Sequence, residues 1–225
     1  MELFVSFNFS VLKDFSVERC SEISLFHGFY GKPYDFYKDE LRDRLDVSVD
    51  ENILVPNQVH GDGVLDLRIE TWKPDREADA VIMSTEQSGI IGVKTADCLP
   101  ILIQSKNLIA AVHAGWRGIA NGITEKVLEN FSGEEKVICV VGPHAQNYEV
   151  GSEVIEAMNG ECIYKNLGGM KFELNLKETL QLKIKRFSNI SFFASSICTI
   201  STRDFHSYRR EKDKRGSNLS IIKSR

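Results

Sequence analysis

The apolar residues of this chain come in short runs, each closed off by a polar residue or by glycine, and this limits the fold more than any other feature. ILVPNQV (53–59), AVIM (80–83), IIGV (90–93), LPILIQ (99–104), LIAAVHA (108–114) and VICVVG (137–142) are strand-length segments. None approaches the ~18 apolar residues of a membrane-spanning helix. Ser105-Lys106-Asn107 separates two of the runs and predicts a hairpin. At the N-terminus Leu3, Val5, Phe7, Phe9 and Val11 alternate with polar residues, the period of a strand with one buried face. ISFFASS and NLSIIK supply two more strands near the C-terminus.

Helical spacing is rarer. Ile119, Ile123, Val127 and Phe131 lie four apart and predict one helix over 118–131. Leu176, Leu180 and Ile184 predict another over 172–187, and SEVIEAM (152–158) a shorter one with Ser152 as its N-cap. KDELRDRLD (38–46), with Leu41 and Leu45, reads as a weakly amphipathic helix. Strands outnumber helices and occur both in hairpins and in alternation with helices. The expected fold is therefore α+β, one compact domain over 1–225 with a mixed β-sheet core and flanking helices.

Composition narrows the function. The 225 residues are 42% hydrophobic and 27% charged with a formal charge of −4, which excludes a mainly disordered chain. It also argues against a nucleic-acid binder, which carries a basic face. The N-terminus lacks the basic start and small-residue cleavage site of a signal peptide. The five scattered cysteines form no CxxC pair, so reduced thiols and a cytoplasmic location are expected. The expected partner is a small molecule, with no nucleic acid and no membrane, and the expected state is a monomer.

Three residues capable of chemistry sit where strands run into turns: His60 in NQVHGDG, Cys98 in KTADCLP and His113 in AAVHAGWRG. Imidazole and thiolate are good zinc ligands, and three protein ligands leave a fourth position open. The spacings of 38 and 15 residues match no short zinc pattern. The residues alone leave three readings open: a metal site, a Cys98–His113 nucleophile–base pair, or a buried thiol with two hydrogen-bonded histidines. Gly115 and Gly118 permit close backbone approach in AGWRG, and Arg117 could hold an anion. The basic stretch TRDFHSYRREKDKRG offers Arg209 and Arg210 for the same task, unless it is simply a solvated loop.

In this order NQVHG, ADAVI, KTADCLPILI, AAVHAGWRG, VGPHAQNYEVG and FHSYRR resemble the laccase-domain family of YfiH/YlmD type, also called the polyphenol oxidase family. The similarity spans about residues 53–222, and the TADC and HAGWRG blocks are its most specific parts. The resemblance implies a compact α/β/α or α+β domain, similar to cysteine-hydrolase-like domains, and a zinc ion, historically argued as copper, held by His60, Cys98 and His113. It implies a purine nucleoside enzyme that phosphorolyses adenosine, inosine, guanosine and methylthioadenosine and deaminates adenosine. Arg117, Arg209 and Arg210 are then candidates to neutralise phosphate, and Glu149 is a further substrate-binding candidate. Asp97 and Glu149 are candidates to shuttle a proton in deamination.

The chain departs from the family pattern in four places. Asn147 stands where a cysteine usually precedes Tyr148, and Glu173-Leu174 replaces Asp-Leu. Lys214-Arg215-Gly216 replaces Thr-Gly-Arg, and no Arg-x-Gly-Gly block is recognisable around ISLFHGFYGKPY. Alternatives of other classes are a Cys98–His113 amidase editing a peptidoglycan precursor, a copper-dependent polyphenol oxidoreductase, and a non-enzymatic binding partner. Five histidines are too few for the usual multicopper cluster, which counts against the oxidoreductase.

Overall fold

Strands that are apolar at every position need cover on both faces, and the fold supplies it. The computed structural model describes residues 17–32, 53–212 and 216–224. The strand expected over 3–11, the helix expected over 38–46, and Lys214 and Arg215 lie outside the described residues. Strands β7 (Leu99–Gln104) and β8 (Leu108–Ala114) are buried throughout. They form the predicted hairpin, with Leu99 opposite Ala114 and Gln104 opposite Ile109. Ser105 closes the turn by accepting from Leu108 N at 3.0 Å.

This hairpin is the centre of a six-stranded mixed sheet ordered β13-β9-β7-β8-β5-β4. The outer strands are β4 (Val64–Asp66), β5 (Ala80–Ser84), β9 (Val137–Val141) and β13 (Ile190–Ala194). Alternate residues face opposite layers. Ile101, Ile103, Ala110 and Val112 join Ile119, Ile123, Val127, Leu176 and Leu180 in a helix-facing core. Leu102, Ile109 and Ala111 join Phe29, Ile91, Val93 and Ile222 in a core against a second sheet. That sheet is β1-β2-β14-β6-β3, built from Val17–Glu18, His27–Tyr30, Asn218–Lys223, Ile90–Thr95 and Ile53–Leu54 in that order. A small antiparallel sheet of β10 (Asn147–Gly151), β12 (Lys171–Asn175) and β11 (Ile163–Gly168) completes the mixed architecture, which agrees with the α+β expectation.

Several boundaries differ from the sequence expectation, each for a local reason. The helix expected over 118–131 is two, α1 (Trp116–Ala120) and α2 (Ile123–Glu129). Gly122 between them has φ +77°, a left-handed conformation that a helix interior cannot contain. The apolar stripe nevertheless holds, because Ile119, Ile123, Val127 and Phe131 are all buried. α3 (Ser152–Ala157) is capped at Gly151, without the side-chain cap expected of Ser152. The helix expected over 172–187 begins as strand β12 and becomes helix only at α4 (Leu176–Ile184). Asn175 marks the change by accepting from Glu178 N at 2.9 Å, an N-cap inside the presumed helix. The strand expected over 53–59 stops at Leu54, before Pro56, which has no amide to donate. Gln58 continues the contact with its side chain, donating to Lys94 O and accepting from Lys94 N at 2.7 Å each.

Candidate metal centre

The site begins with a carboxylate that has no access to water. Asp79 immediately precedes β5 and is fully buried. Its Oδ1 accepts from His113 Nδ1 at 2.6 Å and from His60 N at 3.0 Å, and its Oδ2 from Gly61 N at 2.8 Å and Val59 N at 3.2 Å. Three consecutive amides can converge on one carboxylate because the loop turns sharply at His60, whose φ is +58°. Asp79 thus fixes the backbone that carries one imidazole and the ring of the other. With Nδ1 donating to Asp79, the His113 Nε2 faces the site as a lone pair when the ring is neutral. This is the usual support for a metal-ligating histidine.

Cys98 enters from the start of β7, whose first residues pair with Pro100 opposite His113. One ligand atom each from His60, Cys98 and His113 lies within 4.8 Å of the other two. Among the described residues this is the group of His, Cys, Asp or Glu side chains arranged to hold an ion. The two imidazoles meet edge to face with centroids 4.6 Å apart. Gly115 keeps this corner open, because a Cβ on it would sit 3.2 Å from Cys98 Sγ and would press on the sulfur. Gly118 serves the same corner, since its Cβ would come within 2.9 Å of the Gly61 carbonyl. The sequence had suggested close approach to a ligand at these glycines. Here they admit the ligand-bearing residues themselves.

Electrostatics single out Cys98. Burial pushes its thiol up, but hydrogen bonds with His113 and His60 outweigh this and bring it down to about 6. Burial pushes the His113 imidazole down, yet Asp79 and then Cys98 raise it to about 9. Without a metal the two form a thiolate–imidazolium pair. Cys139, by contrast, lies in the core and is pushed up to about 12 by burial. Two nitrogens and one sulfur, one buried imidazole oriented by a carboxylate, and one exposed imidazole at the mouth fit a zinc or copper ion with an open position.

Of the other predicted residues, Asp97 and Arg209 form a second wall with Tyr148, while Glu149, Arg210 and Arg117 are engaged elsewhere. Arg209, on α5 (Tyr208–Glu211), lies over the Tyr148 ring with its guanidinium carbon 4.3 Å from the centroid, and donates to Glu149 O at 2.7 Å. Burial and then the Cys98 sulfur push the Tyr148 hydroxyl above its ordinary range, so it remains a neutral donor beside the site. The Glu149 side chain points to solvent and pairs with Lys171 at 2.8 Å. Arg210 turns inward: Nη1 donates to the carbonyls of Thr199, Ile200 and Thr202, and Nη2 to Phe205 O and Glu211. It holds the 199–211 loop together and has little left for an anion. Arg117 stacks on the neighbouring Trp116 ring at 4.3 Å. Both Asp97 oxygens are engaged, by the Thr199 hydroxyl at 2.7 Å and Arg209 N at 2.8 Å.

Sequence reasoning did not single out Asp79, Tyr148 or Thr199. The available signal for Asp79 was its position at the head of a fully apolar strand, where a charge must have a reason to be.

Comparison with known proteins shows the family and the fold. Residues 38–225 match the family model described as multi-copper polyphenol oxidoreductase laccase. A protein of Aquifex aeolicus named purine nucleoside phosphorylase is 36% identical over 176 residues, covering 76% of this chain and 83% of that one. The Escherichia coli purine nucleoside phosphorylase YfiH is 34% identical over 165 residues, covering 69% and 67%. The crystal structure of YlmD from Geobacillus stearothermophilus superposes with a TM-score of 0.83 at 18% identity, covering 98% of this chain and 100% of that one. With the family model spanning most of the sequence and the His-Cys-His cluster in place, this chain belongs to the laccase-like family of YfiH type.

Proposed function

We propose that this protein is a metal-dependent purine nucleoside phosphorylase working at the His60–Cys98–His113 centre. The observation that carries the reading is the pairing of an oriented three-ligand site with a cationic wall, Arg209 on Tyr148, which suits an anionic co-substrate. The printed names of the relatives support it. A zinc ion held by the three ligands supplies Lewis acidity and positive charge at the open position, and copper is the alternative occupant. In the reaction a phosphate oxygen forms a bond to ribose C1′ while the C1′–N bond breaks. The electron pair leaves with the purine, which takes up a proton.

Within this chain, Arg209 neutralises the phosphate and Tyr148 offers a neutral hydroxyl and a ring edge. Asp79 keeps His113 aligned. Adenosine, inosine, guanosine and methylthioadenosine are the proposed substrates, with adenosine deamination as a second activity. The proposed setting is a cytoplasmic, monomeric, single-domain enzyme. Among the described residues no helix is long and apolar enough to cross a membrane. Polyphenol oxidation, the activity in the family description, needs several coppers, whereas one ligand cluster converges here among the described residues.

The test is incubation of purified protein with adenosine, with and without phosphate, followed by chromatography. Adenine that forms only with phosphate supports phosphorolysis, and inosine supports deamination. Cys98→Ala should lose both the activity and the bound metal, and full metal content in that variant overturns the ligand assignment. If wild type yields neither product, the thiolate–imidazolium pair oriented by Asp79 favours a second reading, a Cys98–His113 amidase. That reading requires an acyl-enzyme on Cys98, visible by mass spectrometry after metal removal.

A further inference from the structure

We propose that Asp97 is a positioning residue that ties the Arg209 wall to the Cys98 side of the site, and that it is not the proton shuttle its location suggests. The inference rests on the phosphorolysis reading for its kinetic consequence, but not for its structural one. Asp97 adjoins Cys98 in the chain and has φ +92°, which a non-glycine residue adopts only when its surroundings hold it there. Its carbonyl accepts from Ala145 N at 3.0 Å, which anchors it to the β9–β10 connection. Its side chain reaches the opposite way and bridges two segments more than a hundred residues along the chain.

The two ends of the bridge are not alike. Thr199 is fully buried and presents a hydroxyl, which can either donate or accept. Arg209 presents a backbone amide in the first turn of α5, which can only donate and has no partner within the helix. The Arg209 guanidinium is otherwise placed by the Tyr148 ring and the Glu149 carbonyl, both on β10. One covalent link and one hydrogen bond therefore separate Cys98 from the backbone of the anion-neutralising arginine. A proton shuttle would weaken both contacts each time the carboxylate took up a proton, whereas a tether works by keeping them at full strength.

The asymmetry provides the experiment. In Asp97→Asn the amide oxygen can still accept from Arg209 N, and the amide NH2 can donate to the Thr199 oxygen. In Asp97→Ala both contacts are lost. Three measurements are made on the metal-loaded full chain: phosphate KM and kcat, metal content, and amide hydrogen exchange over residues 199–212. A tether predicts that Asp97→Ala raises phosphate KM about tenfold, the equivalent of one charge-assisted hydrogen bond, while kcat changes less. Exchange over 199–212 should accelerate in Asp97→Ala and stay close to wild type in Asp97→Asn, whose KM rises no more than about threefold. Thr199→Val removes one end and should fall between them, which keeps the test usable if Asp97→Ala folds poorly. An Asp97→Asn variant that loses kcat as severely as Asp97→Ala, with exchange unchanged in both, overturns the proposal and restores the shuttle. If wild type shows no phosphorolysis, the functional reading falls alone, and the exchange comparison still decides the tether.

Discussion

The two walls of the site each depend on an aspartate, but they use it under opposite conditions. Asp79 is sealed from water and receives four hydrogen bonds, from three neighbouring amides and from the His113 ring. Asp97 stands at the edge of the site and receives two on its side chain, from residues of the distant 199–211 segment. The first arrangement fixes the His113 ring and the backbone of His60, two of the three residues whose ligand atoms converge. The second holds an exposed arginine with fewer bonds and more water, which suits the proposed exchange of substrate and product there. Buried polar networks give precision because leaving any member unpaired is costly, and exposed tethers give adjustable placement.

The largest expected effect sharpens the Asp79 side and comes from pH. Since His113 is raised to about 9, the metal-free protein carries a proton there that an incoming metal must displace. Cys98, brought down to about 6, is already a thiolate above that pH and releases none. Between these limits one proton is lost per metal bound, so apparent affinity should rise about tenfold per pH unit, and more steeply below pH 6. A competition titration across this range measures the slope, and a flat profile would mean that His113 is neutral before metal binds.

Breaking the same wall by mutation should cost somewhat less. Asp79→Ala leaves the 59–61 amides and His113 Nδ1 without their acceptor and should destabilise the fold by ~3 kcal/mol or more. Asp79→Asn keeps the volume but weakens the orientation of His113, and metal affinity should fall about 10–100-fold. Denaturant unfolding and metal competition read the two effects separately. Wild-type affinity in Asp79→Asn would remove Asp79 from the support of the centre.

The smallest effects test the other wall, through two adjacent arginines. Arg210→Ala strips donors from four carbonyls of the 199–205 loop and should lower stability by ~2 kcal/mol. Arg209→Ala should leave unfolding within ~0.5 kcal/mol of wild type while raising phosphate KM about tenfold. The reverse pattern would exchange the roles assigned to them.

These arginines also show where sequence reading stops. Both stand in one basic stretch with equal standing as anion ligands, and no local pattern separates a residue turned inward from one turned outward. The candidate metal ligands are more legible, because His60, Cys98 and His113 each stand where an apolar run meets a turn, and the TADC and HAGWRG blocks carry the family resemblance. Asp79 is not, because its partners at 59–61 and 113 are assembled only by the pairing of β5 with β8. The helix stripes were read correctly at Ile119, Ile123, Val127, Leu176, Leu180 and Ile184. Their boundaries were not, because Gly122 and Asn175 act through backbone conformation, which hydrophobic periodicity does not register.

What the sequence determined by itself is the inventory: strand-length apolar runs, the α+β class, the three ligand types and the side-chain chemistry available. Those follow from composition and short-range periodicity, which act within a few residues, apart from the ligand set, which the family resemblance implies. What only the tertiary structure decided is convergence: which carboxylate orients His113, which arginine faces outward, and why a side chain at Gly115 or Gly118 would crowd the site. Those depend on distances between residues as far as 112 positions apart in the chain. Such distances are set by sheet register and layer packing, physical quantities that no single segment contains.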